Sequence, residues 1–203
     1  MIDVLDRKIR QMHAALAELA SDDVTTIKPQ IGEVDGYYYI KVDFNQNTDD
    51  TALANTASLL IANIAALKDH LKVWCKRRGI AFHGDFLIDS NRAVALVHDL
   101  WNIDKHVELN KPPRSGCTPR LQGLRKVLVI SSGASPNSGA SYSIDPHTGK
   151  VTTNTFGGGS MQLAIKAQIV DENGKILGDF AEVCTQAADE WAKVLSAAGV
   201  PLP

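Results

Sequence analysis

Residues 98–110, HDLWNIDKHVELN, place His98, Asn102 and His106 at intervals of four, with Asp99, Asp104 and Lys105 between them. On a helix those three side chains share one face over two turns. Histidine and asparagine are indifferent helix formers, so their regular recurrence asks for a reason. Three kinds of chemistry suit such a stripe. It can move protons near neutral pH, it can ligate a metal, or it can form a buried polar network in which each group has a hydrogen-bond partner.

A second stripe lies upstream in ANIAALKDHL, where Asn63 and His70 are seven apart and flanked by Leu60, Leu67 and Leu71. Polar groups among leucines approach the interior. If the two helices pack antiparallel, the Asn63/His70 face is expected to meet the Asn102/His106 face. The metal alternative would use His70, His98, His106 and an aspartate. His98 and His106 stand two turns apart, with no HExxH and no CxxC around them, so neither a metal nor a cofactor is expected. Both GK pairs, at 149–150 and 174–175, lack the GxxxxGK[ST] spacing, which excludes a phosphate loop.

The elements that must carry these stripes follow from periodicity. Ile2, Leu5, Ile9, Met12, Leu16 and Leu19 recur at steps of three and four and predict an amphipathic helix fading at Ser21-Asp22-Asp23. YYYIKVDF (37–44) predicts extended chain. A long helix is expected from Thr51 to Arg78, closed by Gly79, with Lys76, Arg77 and Arg78 suited to the negative end of its dipole. A third helix should run from Asn91 to Lys105, capped by Asp89 or Ser90. KPPRSGCTPRLQG (111–123) then breaks regular structure and reads as a connector.

Beyond it, KVLVISS (126–132) has the pattern of a buried strand. SYSIDPHTGKVTTN (141–154) and QLAIKAQIVDENGKILGDF (162–180) read as hairpins. Gly157-Gly158-Gly159 reads as a flexible link between them. A final helix is expected over Ala181–Ala198. The fold class is therefore α+β: a helical body at 1–110, the connector at 111–123, and hairpins plus a C-terminal helix packing on the body at 124–203.

The pair LLIANIAALKDHL and LVHDLWNIDKH resembles a group of uncharacterised bacterial proteins with a HEPN-like helical bundle. The matching positions are Asn63, Asp69 and His70, then Asn102, Asp104, Lys105 and His106, and the likeness covers about 60 residues. The resemblance implies a helical bundle and a homodimer. It also implies either a metal-independent ribonuclease of a defence or toxin–antitoxin kind, or a non-catalytic binding or assembly partner. Active members use an arginine and a histidine four to six residues apart. Arg92 and His98 fit, as do Arg7 with His13, and Arg77 or Arg78 with His83. In that chemistry the arginine would hold a phosphate in a bidentate fork while the histidine moves the ribose proton. Ala93 follows Arg92, where active members usually carry a polar residue.

Bulk properties frame these readings. The 203 residues are 44% hydrophobic with net charge −2, enough for a core and without an overall polyanion-seeking charge. The charge is segregated, with 12 Lys and Arg against 6 Asp and Glu between Lys68 and Lys126, and 9 against 17 elsewhere. That segment can face an anion such as RNA or a nucleotide, or be a solvated surface. Cys75, Cys117 and Cys184 are odd in number and widely spaced, as expected of reduced thiols in a cytoplasm. Neither a membrane segment nor a signal peptide is expected. Leu59, Leu60 and Ile61 in succession give the long helix a wide apolar arc suited to a second copy. The hairpins offer edges to a protein partner.

Overall fold

A computed structural model describes residues 4–21, 24, 27–34, 37–45, 49–106, 111–132 and 134–202. The chain is mixed α+β, with helices and small antiparallel sheets. Its elements are α1 (Val4–Ala17), β1 (Ala20–Ser21), β2 (Gln30–Val34), β3 (Tyr37–Lys41), α2 (Asp50–Arg78), α3 (Gly84–Ser90), α4 (Arg92–Lys105), β4 (Arg120–Ser131), β5 (Gly139–Ile144), β6 (Val151–Phe156), β7 (Ser160–Val170), β8 (Ile176–Asp179) and α5 (Phe180–Ala197). Ile2 and Asp22-Asp23, which the sequence assigns to the ends of the first helix, lie outside the described residues, as do 107–110.

The chain forms two compact units that do not follow sequence order. The first holds Met1–Leu19, Thr51–Leu124 and Lys166–Pro203; the second holds Ala20–Asp50 and Arg125–Ile165. The contiguous division expected from composition therefore differs from the observed one. The segment at 20–50, between two helices, belongs with the hairpin segment, and the far end of β7 belongs with the helices. Strand pairing over long sequence separations causes this, as where Ala20 and Ser21 register with Ala164 and Leu163.

In the helical unit α4 packs along α5 and α3, and α5 also meets α1 and β8. Its interior is built from Leu5, Ile9 and Met12 of α1, Leu60, Ile64, Leu67 and Leu71 of α2, Leu96 and Val97 of α4, and Phe180, Trp191 and Leu195 of α5. Each such side chain contributes about 1.5–3 kcal/mol when fully removed from water. The caps are local. Asn91, not Asp89 or Ser90, caps α4, its Oδ1 accepting from Val94 N–H at 3.1 Å. Asp89 and Ser90 instead finish α3, a short helix that periodicity does not announce, and Ser90 Oγ donates back to Phe86 O at 2.7 Å. Asp179 caps α5 by accepting from Ala181 N and Glu182 N.

The arc on α2 is narrower than its sequence suggests. Leu60 and Ile61 are covered by the chain's own fold, whereas Leu59 is 52% exposed. By length and composition α2 is the one described helix that could cross a membrane. Leu53, Ala57, Leu60, Ile64, Leu67 and Leu71 are all buried against protein, which is the habit of a core helix.

The second unit contains the hairpins β2–β3 and β5–β6, with β1 on the first part of β7. Val24, Ile27, Met161 and Leu163 form its core, with Val42, Phe44, Leu128, Ala140 and Tyr142 packed against them. Gly159 meets Gly139 so closely that a Cβ on Gly159 would overlap the Gly139 carbonyl. The glycine trio is thus a place of close backbone approach as well as a link.

Candidate functional site

Asp99 organises the polar cluster of the helical unit. It is 2% exposed, and both oxygens are engaged by the connector: Oδ1 accepts from Arg114 N–H at 3.1 Å and Oδ2 from Ser115 N–H at 2.7 Å. A buried carboxylate is costly unless so satisfied. Burial pushes its pKa up, but the His98 contact and the hydrogen bonds from Ser115 and Arg114 outweigh that and hold it below the ordinary carboxylate value.

His98, 9% exposed, sits beside it. Its Nδ1 lies 3.0 Å from Asn102 Nδ2 and 3.7 Å from Asp99 Oδ1. Nδ1 thus lies between the Asn102 amide and the Asp99 carboxylate, within hydrogen-bond distance of the first. Trp101 presents an edge to His98 at 6.5 Å between centroids, and Lys105 lies over the Trp101 ring at 4.7 Å.

The connector is held a second time through the Arg114 side chain. Its Nη1 donates to Asp89 Oδ1 at 2.7 Å, its Nη2 lies 3.6 Å from Asp85 Oδ1, and Lys68 Nζ reaches the same Asp85 oxygen at 2.8 Å. The hydrogen bond from Lys68 is the main reason Asp85 is held below its ordinary pKa. Between α4 and this loop lies a cavity of about 230 Å³ lined by His98, Asp99, Asn102, His106, Lys111, Pro112, Pro113 and Arg114.

The structure divides the residues singled out in the sequence. His98, Asp99, Asn102 and His106 come together at this cavity. Asn63 and His70 face another partner, α1: Lys8 Nζ donates to Asn63 Oδ1 at 3.1 Å and Asn63 Nδ2 points to Gln11 O at 3.5 Å. Burial, then the Lys8 charge, lowers the His70 pKa, with Arg7 adding to the effect and Asp69 opposing it. The expected meeting of the two stripes is therefore not what these side chains do. The Asn63 amide is spent on α1, and His70 lies near enough to Lys8 and Arg7 to feel their charges. Asp69 and Asp104 are exposed.

Arg92 is exposed at the first turn of α4, whereas His98 is buried. Six residues of helix turn two side chains about 120° apart, so the two do not share a face. Lys111, Pro112, Pro113 and Arg114 were missed as site residues because a Pro/Gly-rich segment reads only as a connector. The adjacent Lys-Pro-Pro-Arg was the available signal. Among the described residues, no three His, Cys, Asp or Glu side chains gather where a metal could be held. Several cations of the basic segment are engaged internally: Lys68 and Arg114 in ion pairs, and Lys72, Arg78 and Lys105 over aromatic rings.

No family model, curated protein or solved structure matches this chain.

Proposed function

We propose that the chain is a HEPN-like binding protein in which His98, Asp99 and Asn102 brace the connector, while the adjoining cavity takes a phosphate-type anion of RNA or a nucleotide. The observation that carries this reading is the Asp99 carboxylate, spent on two backbone N–H groups and so removed from proton transfer. His106 and Lys111 supply donors at the cavity, and the Arg114 that also lines it has its guanidinium paired with Asp89 and Asp85. Asp99 and the negative end of the α4 dipole oppose an anion. The two N–H groups on Asp99 blunt its charge and Lys111 opposes what remains, so binding is of modest strength.

Size narrows the ligand. Pockets that enclose a drug-sized molecule run from about 300 Å³ upward; 230 Å³ suits a phosphate group with its sugar left outside. The three free thiols accord with a reducing cytoplasm. The homodimer that the resemblance implies belongs to the same proposal, with Leu59 the exposed residue of its run.

The test is incubation of the purified chain with total RNA, with and without a chelator, read on native and denaturing gels. Retarded RNA of unchanged length is expected. RNA cleavage that disappears in both Arg92→Ala and His98→Ala would assign a ribonuclease instead.

A further inference from the structure

A second cavity in the helical unit, away from the polar cluster, has about 330 Å³ of space and is lined by Leu71, Cys75, Ile80, Ala81, His83, Val194, Ala197 and Ala198. Its walls are the last turns of α2 and α5 and the chain between α2 and α3. Both helices end in the same way. Ile80 N–H donates to Cys75 O and Gly79 N–H to Lys76 O; Val200 N–H donates to Leu195 O and Gly199 N–H to Ser196 O. With Gly79 and Gly199 at φ of +67° and +77°, these are paired Schellman terminations. They engage the Cys75 and Lys76 carbonyls of α2 and the Leu195 and Ser196 carbonyls of α5, and the side chains of the lining that carry a hydrogen-bonding group are the Cys75 thiol and the His83 imidazole.

The space is hollow because three of its lining residues are alanines, and a fixed backbone keeps it from collapsing. An apolar cavity of about 150 Å³ holds a benzene ring; this one has roughly twice that room and is open to solvent on one side. Charge decides the rest. Nothing in the lining is a dedicated counter-ion, Arg78 is placed over the Trp74 ring at 4.3 Å and Lys72 lies 6.0 Å from the Phe82 ring. Two helix C-termini also converge here, disfavouring an anion. A buried charge without a partner is expensive.

We propose that this cavity is a binding site for a compact neutral aromatic molecule bearing one hydrogen-bonding group, of the size of indole, seated against Cys75 with its polar group toward His83. The site is independent of the anion cavity. Ile80, 40% exposed, and Ala81, His83 and Ala197, also exposed, form its mouth.

The experiment uses the full chain with Cys117→Ser and follows modification of Cys75 by methyl methanethiosulfonate, a small apolar thiol reagent. Cys75 is 1% exposed but lines the cavity, and Cys184, 0% exposed and absent from that lining, is the internal control. Indole at ten times its dissociation constant should slow Cys75 modification about tenfold, because only about one site in eleven stays open. Indole-3-carboxylate at the same concentration should not. Ala197→Leu and, separately, Ala81→Leu fill the space from opposite walls and should abolish the indole effect without lowering the melting temperature. An unchanged Cys75 rate with indole overturns the proposal, as does equal protection in the filled variants, or a Cys75 that is inert in the absence of indole.

Discussion

Ser115 donates its backbone N–H to Asp99 Oδ2 at 2.7 Å across sixteen positions of sequence. The connector that follows α4 is therefore bonded back onto the helix it has just left. Asp99→Ala should cost about 2–3 kcal/mol, since hydrogen bonds to a buried charge are lost together. Arg114→Ala, which removes half-exposed ion pairs to Asp85 and Asp89, should cost under about 1 kcal/mol. Urea unfolding of the two variants measures the difference. Equal losses would mean that the side-chain clamp, not the carboxylate, holds the loop.

Two titrations should shape stability against pH. Asp99 is held below its ordinary pKa by hydrogen bonds that overcome its burial. Its contribution is full above the unfolded value of about 3.9 and is lost as pH falls through the folded one. His70 is also held low, by burial and Lys8 first. Folding resists its protonation, so stability declines as pH drops below about 6.5 toward its folded pKa. Melting curves between pH 8 and 3 should show both declines, with His70→Gln removing the upper and Asp99→Asn reducing the lower, to which Asp85, also held low by the Lys68 hydrogen bond, contributes. An upper decline that survives His70→Gln would refute its assignment.

In the hairpin unit, Gly159→Ala should be far more damaging than Gly158→Ala. An added Cβ at 159 meets the Gly139 backbone, whereas at 158 it meets nothing within 4 Å and only a φ of +86° resists it. The second substitution should cost about 1–2 kcal/mol. Limited proteolysis after each substitution should open the 139–160 segment in the first variant alone.

Long periodic elements were legible in the sequence, and contacts between distant backbones were not. Leu5, Ile9 and Met12 announce α1, and the β5–β6 and β7–β8 hairpins follow from their turns and alternation. The short α3 offers too few residues to show a period. β2, Gln-Ile-Gly-Glu-Val, carries a glycine at its centre and little apolar alternation. In the site, the His98–Asn102 contact follows from helical spacing. The partners of Asp99 are N–H groups of Arg114 and Ser115, which no side-chain pattern can reveal. Asn63 looked like a mate for α4 because its residue type matched. Its actual partners, the Lys8 side chain and the Gln11 carbonyl, lie on α1, where no pattern among the polar residues points to Asn63.

Isothermal titration of adenosine monophosphate into the wild-type chain and into a Lys111→Ala/His106→Ala variant tests the central claim most directly. Both side chains line the cavity without a described bracing bond, so the variant should fold with nearly unchanged melting temperature. The account predicts measurable binding to the wild type that falls by about tenfold or more in the variant, because charge-assisted donors to phosphate are worth over 1.4 kcal/mol together. Equal affinity in the two proteins, or no binding to the wild type at millimolar ligand, would contradict it.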